Sequence, residues 1–224
     1  MHNHPFEAII FDLDGTLIDT ETIDFAACQL LYREMGANLK LEYWAERIVG
    51  VTDGYDELLE ELIRVNQNGI TKEKLWQRLR QLWDLTLPNM GLMPGVSVLL
   101  PQLHAANYRL GLATASDRAW VERWLNHFKL TTYFHAISTG EEVSRNKPAP
   151  DVYLLAASHL DVKPERCLVF EDSWAGTCAA KAAGMTVVAV PSPITQSLDF
   201  SQADRVVAGL ENVTLEWIES LAKI

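Results

Sequence analysis

A chain of 224 residues, 48% hydrophobic and 22% charged, carries enough apolar material for a substantial buried core, and its length allows one or two domains. Thirty aspartates and glutamates against nineteen lysines and arginines leave a formal net charge of -11. That field repels nucleic-acid backbones and anionic lipid, which excludes both as principal partners. No apolar run approaches the roughly 18 residues that span a bilayer, and the start, Met1-His2-Asn3-His4-Pro5, has no signal-peptide pattern, so the expectation is a cytoplasmic protein. Cys28, Cys167 and Cys178 lie far apart without a CxxC pair and read as buried, reduced thiols.

The first predicted strand covers 6–11 and runs straight into Asp12-Leu13-Asp14-Gly15-Thr16. From 18 to 92 only helical periodicity follows. Ile23, Ala26, Ala27, Leu30, Leu31 and Met35 recur at helical spacing before Gly36, and further helices are predicted at 42–49, 54–65 and, after a Thr71 N-cap, 72–85. Trp44, Trp76 and Trp83 in this stretch suit packing between helices better than the lining of a cleft. Beyond 91–95, strands predicted at 109–114, 136–139, 167–171 and 186–190, with an edge strand at 205–208, alternate with helices at 97–106, 118–128, 151–160, 174–183 and 215–223. Such alternation predicts an α/β fold: a Rossmann-like, doubly wound parallel sheet formed by 1–17 and 93–224, with an all-helical cap, 18–92, inserted after the first strand.

Chemistry-bearing residues gather at the predicted carboxyl ends of the strands, where open parallel sheets bind ligands. Asp12 and Asp14 follow the first strand; Thr114-Ala115-Ser116 follow the second and offer hydroxyls and free N–H groups to a phosphate. Lys147 stands beside Pro148, with Pro150 close behind, and Glu171-Asp172-Ser173 close the strand at 167–171, bringing together carboxylates that are costly to juxtapose without a cation. Each segment alone has an ordinary structural explanation: an acidic turn, a helix cap with Ser116 or Asp117 as the capping residue, or a solvated lysine.

Together and in this order, the four segments resemble the four motifs of the haloacid dehalogenase superfamily, over essentially the whole chain, and within it the helical-cap branch that includes β-phosphoglucomutases and sugar-phosphate phosphatases. The resemblance implies Asp12 as nucleophile and Asp14 as general acid and base. It further implies Mg2+ held by the Asp12 carboxylate, the Asp14 backbone carbonyl and Asp172, and Thr114, Ala115, Ser116 and Lys147 around the phosphoryl oxygens. Glu171, Thr16 and Ser173 are expected to hold those residues in place. Four acids against Mg2+ and Lys147 leave surplus negative charge, which a proton on Asp14 would relieve in the substrate complex.

Two positions depart from the mutase pattern: Asp53 stands where mutases carry a cap arginine, and Asp24 where they carry a histidine. Both departures favour net hydrolysis of a monophosphate by a phosphoric monoester hydrolase. The partner is then a small phosphorylated metabolite, a sugar or polyol monophosphate, whose hydroxyls meet Glu21, Asp24 and Asp53; the opposing explanation of these acids is solvated residues near helix N-termini. A phosphosugar mutase and a catalytically silent binding module stand as alternatives, and a monomer or weak dimer is expected.

Overall fold

The computed structural model describes residues 5–49, 54–66 and 69–221. In chain order it contains β1 (Ala8–Phe11), α1 (Thr20–Glu34), α2 (Leu41–Arg47), α3 (Gly54–Val65), α4 (Lys72–Thr86), α5 (Val96–Ala105), β2 (Arg109–Ala113), α6 (Arg118–His127), β3 (Ala136–Ser138), α7 (Asp151–His159), β4 (Cys167–Glu171), α8 (Trp174–Ala182), β5 (Thr186–Ala189), β6 (Arg205–Val206) and α9 (Leu215–Ser220). The strands form one sheet in the order β3-β2-β1-β4-β5-β6, every pairing parallel.

Strand sequences explain why both faces are covered. Along β1, Ile9 and Phe11 point into one apolar cluster with Leu110, Leu112, Leu168 and Phe170, packed under α5, α6 and α9. Ala8 and Ile10 point the other way, with Cys167 and Val169, under α7 and α8. This period of two, with no polar residue on either face of β1, is what a strand buried on both sides requires. Helices α1 to α4 share a third cluster of their own, in which Ala27, Leu31, Trp44, Leu58, Leu75 and Leu79 are buried. Ile18, pairing in isolated bridges with both Asp14 and Leu92, ties the entry of that helical segment to its exit.

Strand order places the site. β1 lies between β2 and β4, and successive strands run outward from it in opposite directions, so their helices leave a crevice beyond the carboxyl ends of β1, β2 and β4. Several element ends differ from the predicted ones. The strand expected over 6–11 begins at Ala8, and the edge strand expected over 205–208 is only Arg205–Val206. The helix expected over 42–49 stops at Arg47, because Ile48 and Val49 both donate back to the Trp44 carbonyl in a closing turn. The last helix ends at Ser220. Cys178, expected to be buried, is partly exposed, while Cys28 and Cys167 are buried. No helix among the described residues is long and apolar enough to cross a membrane.

Candidate active site

The carboxyl ends of β1, β2 and β4 and the loop between β3 and α7 converge on one cleft of about 330 Å3, lined by Asp12, Asp14, Thr114, Ala115, Ser116, Lys147 and Asp172 from the sheet side and by Thr20, Glu21, Asp24, Trp44 and Tyr55 from the helical segment. Asp12 continues β1, its N–H donating to the Phe170 carbonyl at 3.1 Å. Its carboxylate accepts from the Lys147 ammonium at 2.5 Å. The same ammonium donates to Glu171 Oε1 at 2.7 Å and to the Ala113 carbonyl at 3.1 Å. All three protons of Lys147 are thus engaged, and the cation also lies 4.8 Å over the Tyr153 ring. Tyr153 in turn donates to Glu171 Oε1 at 2.7 Å, while the Ser173 N–H and hydroxyl donate to Oε2 at 3.0 and 2.9 Å. A fully hydrogen-bonded carboxylate behind Lys147 fixes the lysine, and the lysine fixes Asp12.

Electrostatics follow from that packing. Burial pushes the Asp12 carboxyl up to about 8; Lys147 opposes the rise, and Glu171 and Asp14 add to it. Burial works in the same direction on Glu171, but Lys147, Tyr153 and the Ser173 N–H outweigh it and hold Glu171 below its usual range. Lys147 is disfavoured as a cation by burial, yet Asp12 and Glu171 together raise it above its ordinary value. Asp172 is held well above the carboxylate range, by burial first and then by Glu171 and Glu21.

A divalent cation suits this donor set. One oxygen from each of Asp12, Glu171 and Asp172 lies within 4.8 Å of the others, all three residues being buried. Asp172 Oδ2 is buried with no hydrogen-bond partner among the described residues, and an anionic oxygen left in that position is costly unless a cation takes it. Backbone geometry keeps the place open: Gly15 adopts φ +79, and a Cβ there would overlap the Asp172 carboxylate. A hard ion with oxygen ligands, Mg2+ or Ca2+, matches this chemistry.

Asp14 is held by a different set of donors. Its Oδ2 accepts from the Ser116 hydroxyl at 2.6 Å and the Thr114 hydroxyl at 3.3 Å, and its Oδ1 from the Trp120 indole N–H at 2.9 Å. Of the helical-segment acids, Glu21 and Asp24 line the cleft, and Tyr55 donates to Asp24 Oδ2 at 2.6 Å. Burial pushes Asp24 up to about 7, the Tyr55 hydrogen bond opposing and Asp14 adding; Glu21 is raised well above its range, by burial and then by Asp24 and Asp14. Asp53 lies outside the described residues. Thr16 is buried but away from the cleft lining. Between the two candidates for the cap of α6, Asp117 is the one, accepting from the Trp120 N–H at 2.8 Å.

Residues 9–190 match the family model for haloacid dehalogenase-like hydrolases, and the chain belongs to that family. Among relatives, a phosphorylated carbohydrates phosphatase of Thermotoga maritima is 35% identical over 185 residues, covering 80% of this chain and 82% of its own. A β-phosphoglucomutase of Bacillus subtilis is 32% identical over 218 residues, covering 94% and 92%. Among solved structures, a variant of CbbY from Rhodobacter sphaeroides, in complex with xylulose-(1,5)bisphosphate, aligns with a TM-score of 0.76 at 27% identity, covering 96% of this chain and 99% of its own.

Proposed function

We propose that the chain is a Mg2+-dependent phosphatase that hydrolyses a sugar or polyol monophosphate through a phosphoaspartate on Asp12. One observation carries this reading: a buried carboxylate at the end of the central strand, held by Lys147, with a second carboxylate two residues on that faces the substrate cleft. The names of the relatives, a phosphatase of phosphorylated carbohydrates and a phosphosugar mutase, support the same substrate class. Asp12 and Asp172, with the Asp14 backbone carbonyl, would hold Mg2+, which when bound neutralises charge on the phosphoryl oxygens.

The remaining chemistry belongs to the side chains. An Asp12 carboxylate oxygen attacks phosphorus, the bond from phosphorus to the leaving oxygen breaks, and Asp14 gives that oxygen its proton. Asp14 then takes a proton from water, which attacks the phosphoaspartate and releases inorganic phosphate and free Asp12. Thr114 and Ser116 line the cleft beside Asp14, their hydroxyls donating to its Oδ2. Segment 18–92 acts as a lid hinged at 17–19 and 91–95, which excludes bulk water from the phosphoaspartate.

Glu21 and Asp24 present acceptors to hydroxyls of the substrate. Lys147 is the sole cation among the described residues lining the cleft, an arrangement that disfavours a second phosphate and hence the mutase reaction. A screen of phosphorylated metabolites in Mg2+, ranked by kcat/KM, tests the reading. Sugar and polyol monophosphates are expected to rank first; bisphosphates or phosphodicarboxylates in that place would overturn the substrate assignment.

A further inference from the structure

Asp14 is held from a direction that none of the four motifs supplies. Trp120 stands in the first turn of α6, where its own N–H is taken by the capping carboxylate of Asp117 at 2.8 Å. Its ring packs edge-on against Trp124, centroids 5.6 Å apart, and Trp124 is buried in the core cluster beneath the sheet. With backbone and ring both fixed, the indole N–H is aimed at Asp14 Oδ1, 2.9 Å away, and the ring forms part of the cleft wall.

An indole N–H can only donate. It therefore keeps Oδ1 as an acceptor and leaves Oδ2, whose partners are the hydroxyls of Ser116 at 2.6 Å and Thr114 at 3.3 Å, groups that can accept as well as donate, as the oxygen able to carry a proton. Ser116 can accept as well as donate, so it tolerates that proton, which the indole does not.

We propose that Trp120 is a positioning residue that fixes the Asp14 carboxylate, through Oδ1, in the orientation from which Oδ2 delivers a proton to the leaving oxygen. This rests on the phosphatase reading above, in which the bond from phosphorus to the leaving oxygen breaks as that proton arrives. A group acting through the acid matters only where the leaving oxygen needs a proton. Phenolate is a poor leaving group and needs it; 4-nitrophenolate leaves as a stable anion and does not.

The experiment compares kcat/KM for phenyl phosphate and 4-nitrophenyl phosphate in wild type, Trp120→Phe and Asp14→Asn. For Trp120→Phe the expected loss is about tenfold or more with phenyl phosphate and under about threefold with 4-nitrophenyl phosphate, the same pattern as Asp14→Asn in milder form. Equal losses on both substrates would make Trp120 a packing or binding residue and overturn the proposal, and so would no loss on either. Should Trp120→Phe fail to fold, β-(3-benzothienyl)alanine incorporated at 120 replaces the N–H by sulfur and keeps the ring's shape, and the same criterion applies to it. Failure of the underlying reading looks different: wild type releases phosphate from neither ester, or Asp14→Asn shows no dependence on the leaving group.

Discussion

Asp24 shows how one side chain couples fold and function. It is half-buried at the edge of the cleft and accepts from Tyr55 at 2.6 Å, and burial pushes its carboxyl up to about 7. Between about pH 4 and 7 the folded protein binds a proton here that the unfolded chain has released, so this group's contribution to stability falls as pH rises through that window. Asn at the position keeps an acceptor for Tyr55 and has no proton to lose. Asp24→Asn is therefore expected to gain on wild type as pH rises from 5 to 8, by about 1 kcal/mol, roughly one pKa unit's worth after allowance for the water reaching the cleft. Urea midpoints at pH 5, 6.5 and 8 measure it; a difference that stays constant or shrinks over that range would show that Asp24 is ionised throughout.

At the level of elements, the β1 turn shapes the candidate cation site. Gly15 at φ +79 lets the chain turn back beneath Asp172, and a methyl group there would meet that carboxylate while also straining the backbone by about 1–2 kcal/mol. Wild type is expected to melt higher in Mg2+ than in EDTA, by up to about 2.7 kcal/mol of stability at a hundredfold excess of ion over Kd. Gly15→Ala is expected to lose most of that gain. An equal gain in both proteins would place the ion elsewhere.

The motif residues Asp12, Asp14, Thr114 and Asp172 were legible because each follows a strand whose apolar run and polar stop are local properties of the sequence, and Lys147 because of the prolines beside it. Trp120 and Tyr153 were not. They occupy core-like positions on α6 and α7, and only the order of strands, which brings β2 and β4 to either side of β1, turns one toward Asp14 and the other toward Glu171. The Asp24–Tyr55 hydrogen bond joins residues 31 apart on different helices, a pairing that periodicity does not encode. Helix starts were legible where a capping residue marks them, as Thr71 does for α4; the C-terminal end of α2 was misplaced, because the closing turn at Ile48 and Val49 carries no residue type that marks it.

For the molecule as a whole, the acidity that excluded nucleic acid and membrane has a local use. Asp12, Glu171 and Asp172 are buried together at the crevice of the sheet with Lys147, a cluster that could hold a divalent cation and, in the proposed function, lets an acidic protein accept a phosphate. The four-helix segment, packed around its apolar cluster, supplies the opposite wall of the cleft. In the function proposed above, Asp12 is the group that carries the phosphoryl. The most direct test is an acid quench during turnover of a hydrolysed phosphate ester in Mg2+, followed by peptide mass spectrometry. The expected result is a phosphoryl group on Asp12 in wild type, accumulating with 4-nitrophenyl phosphate when Asp14 is replaced by Asn, and none in Asp12→Asn, which releases no phosphate. Turnover retained in Asp12→Asn, or a phosphoryl group on another residue, would contradict it.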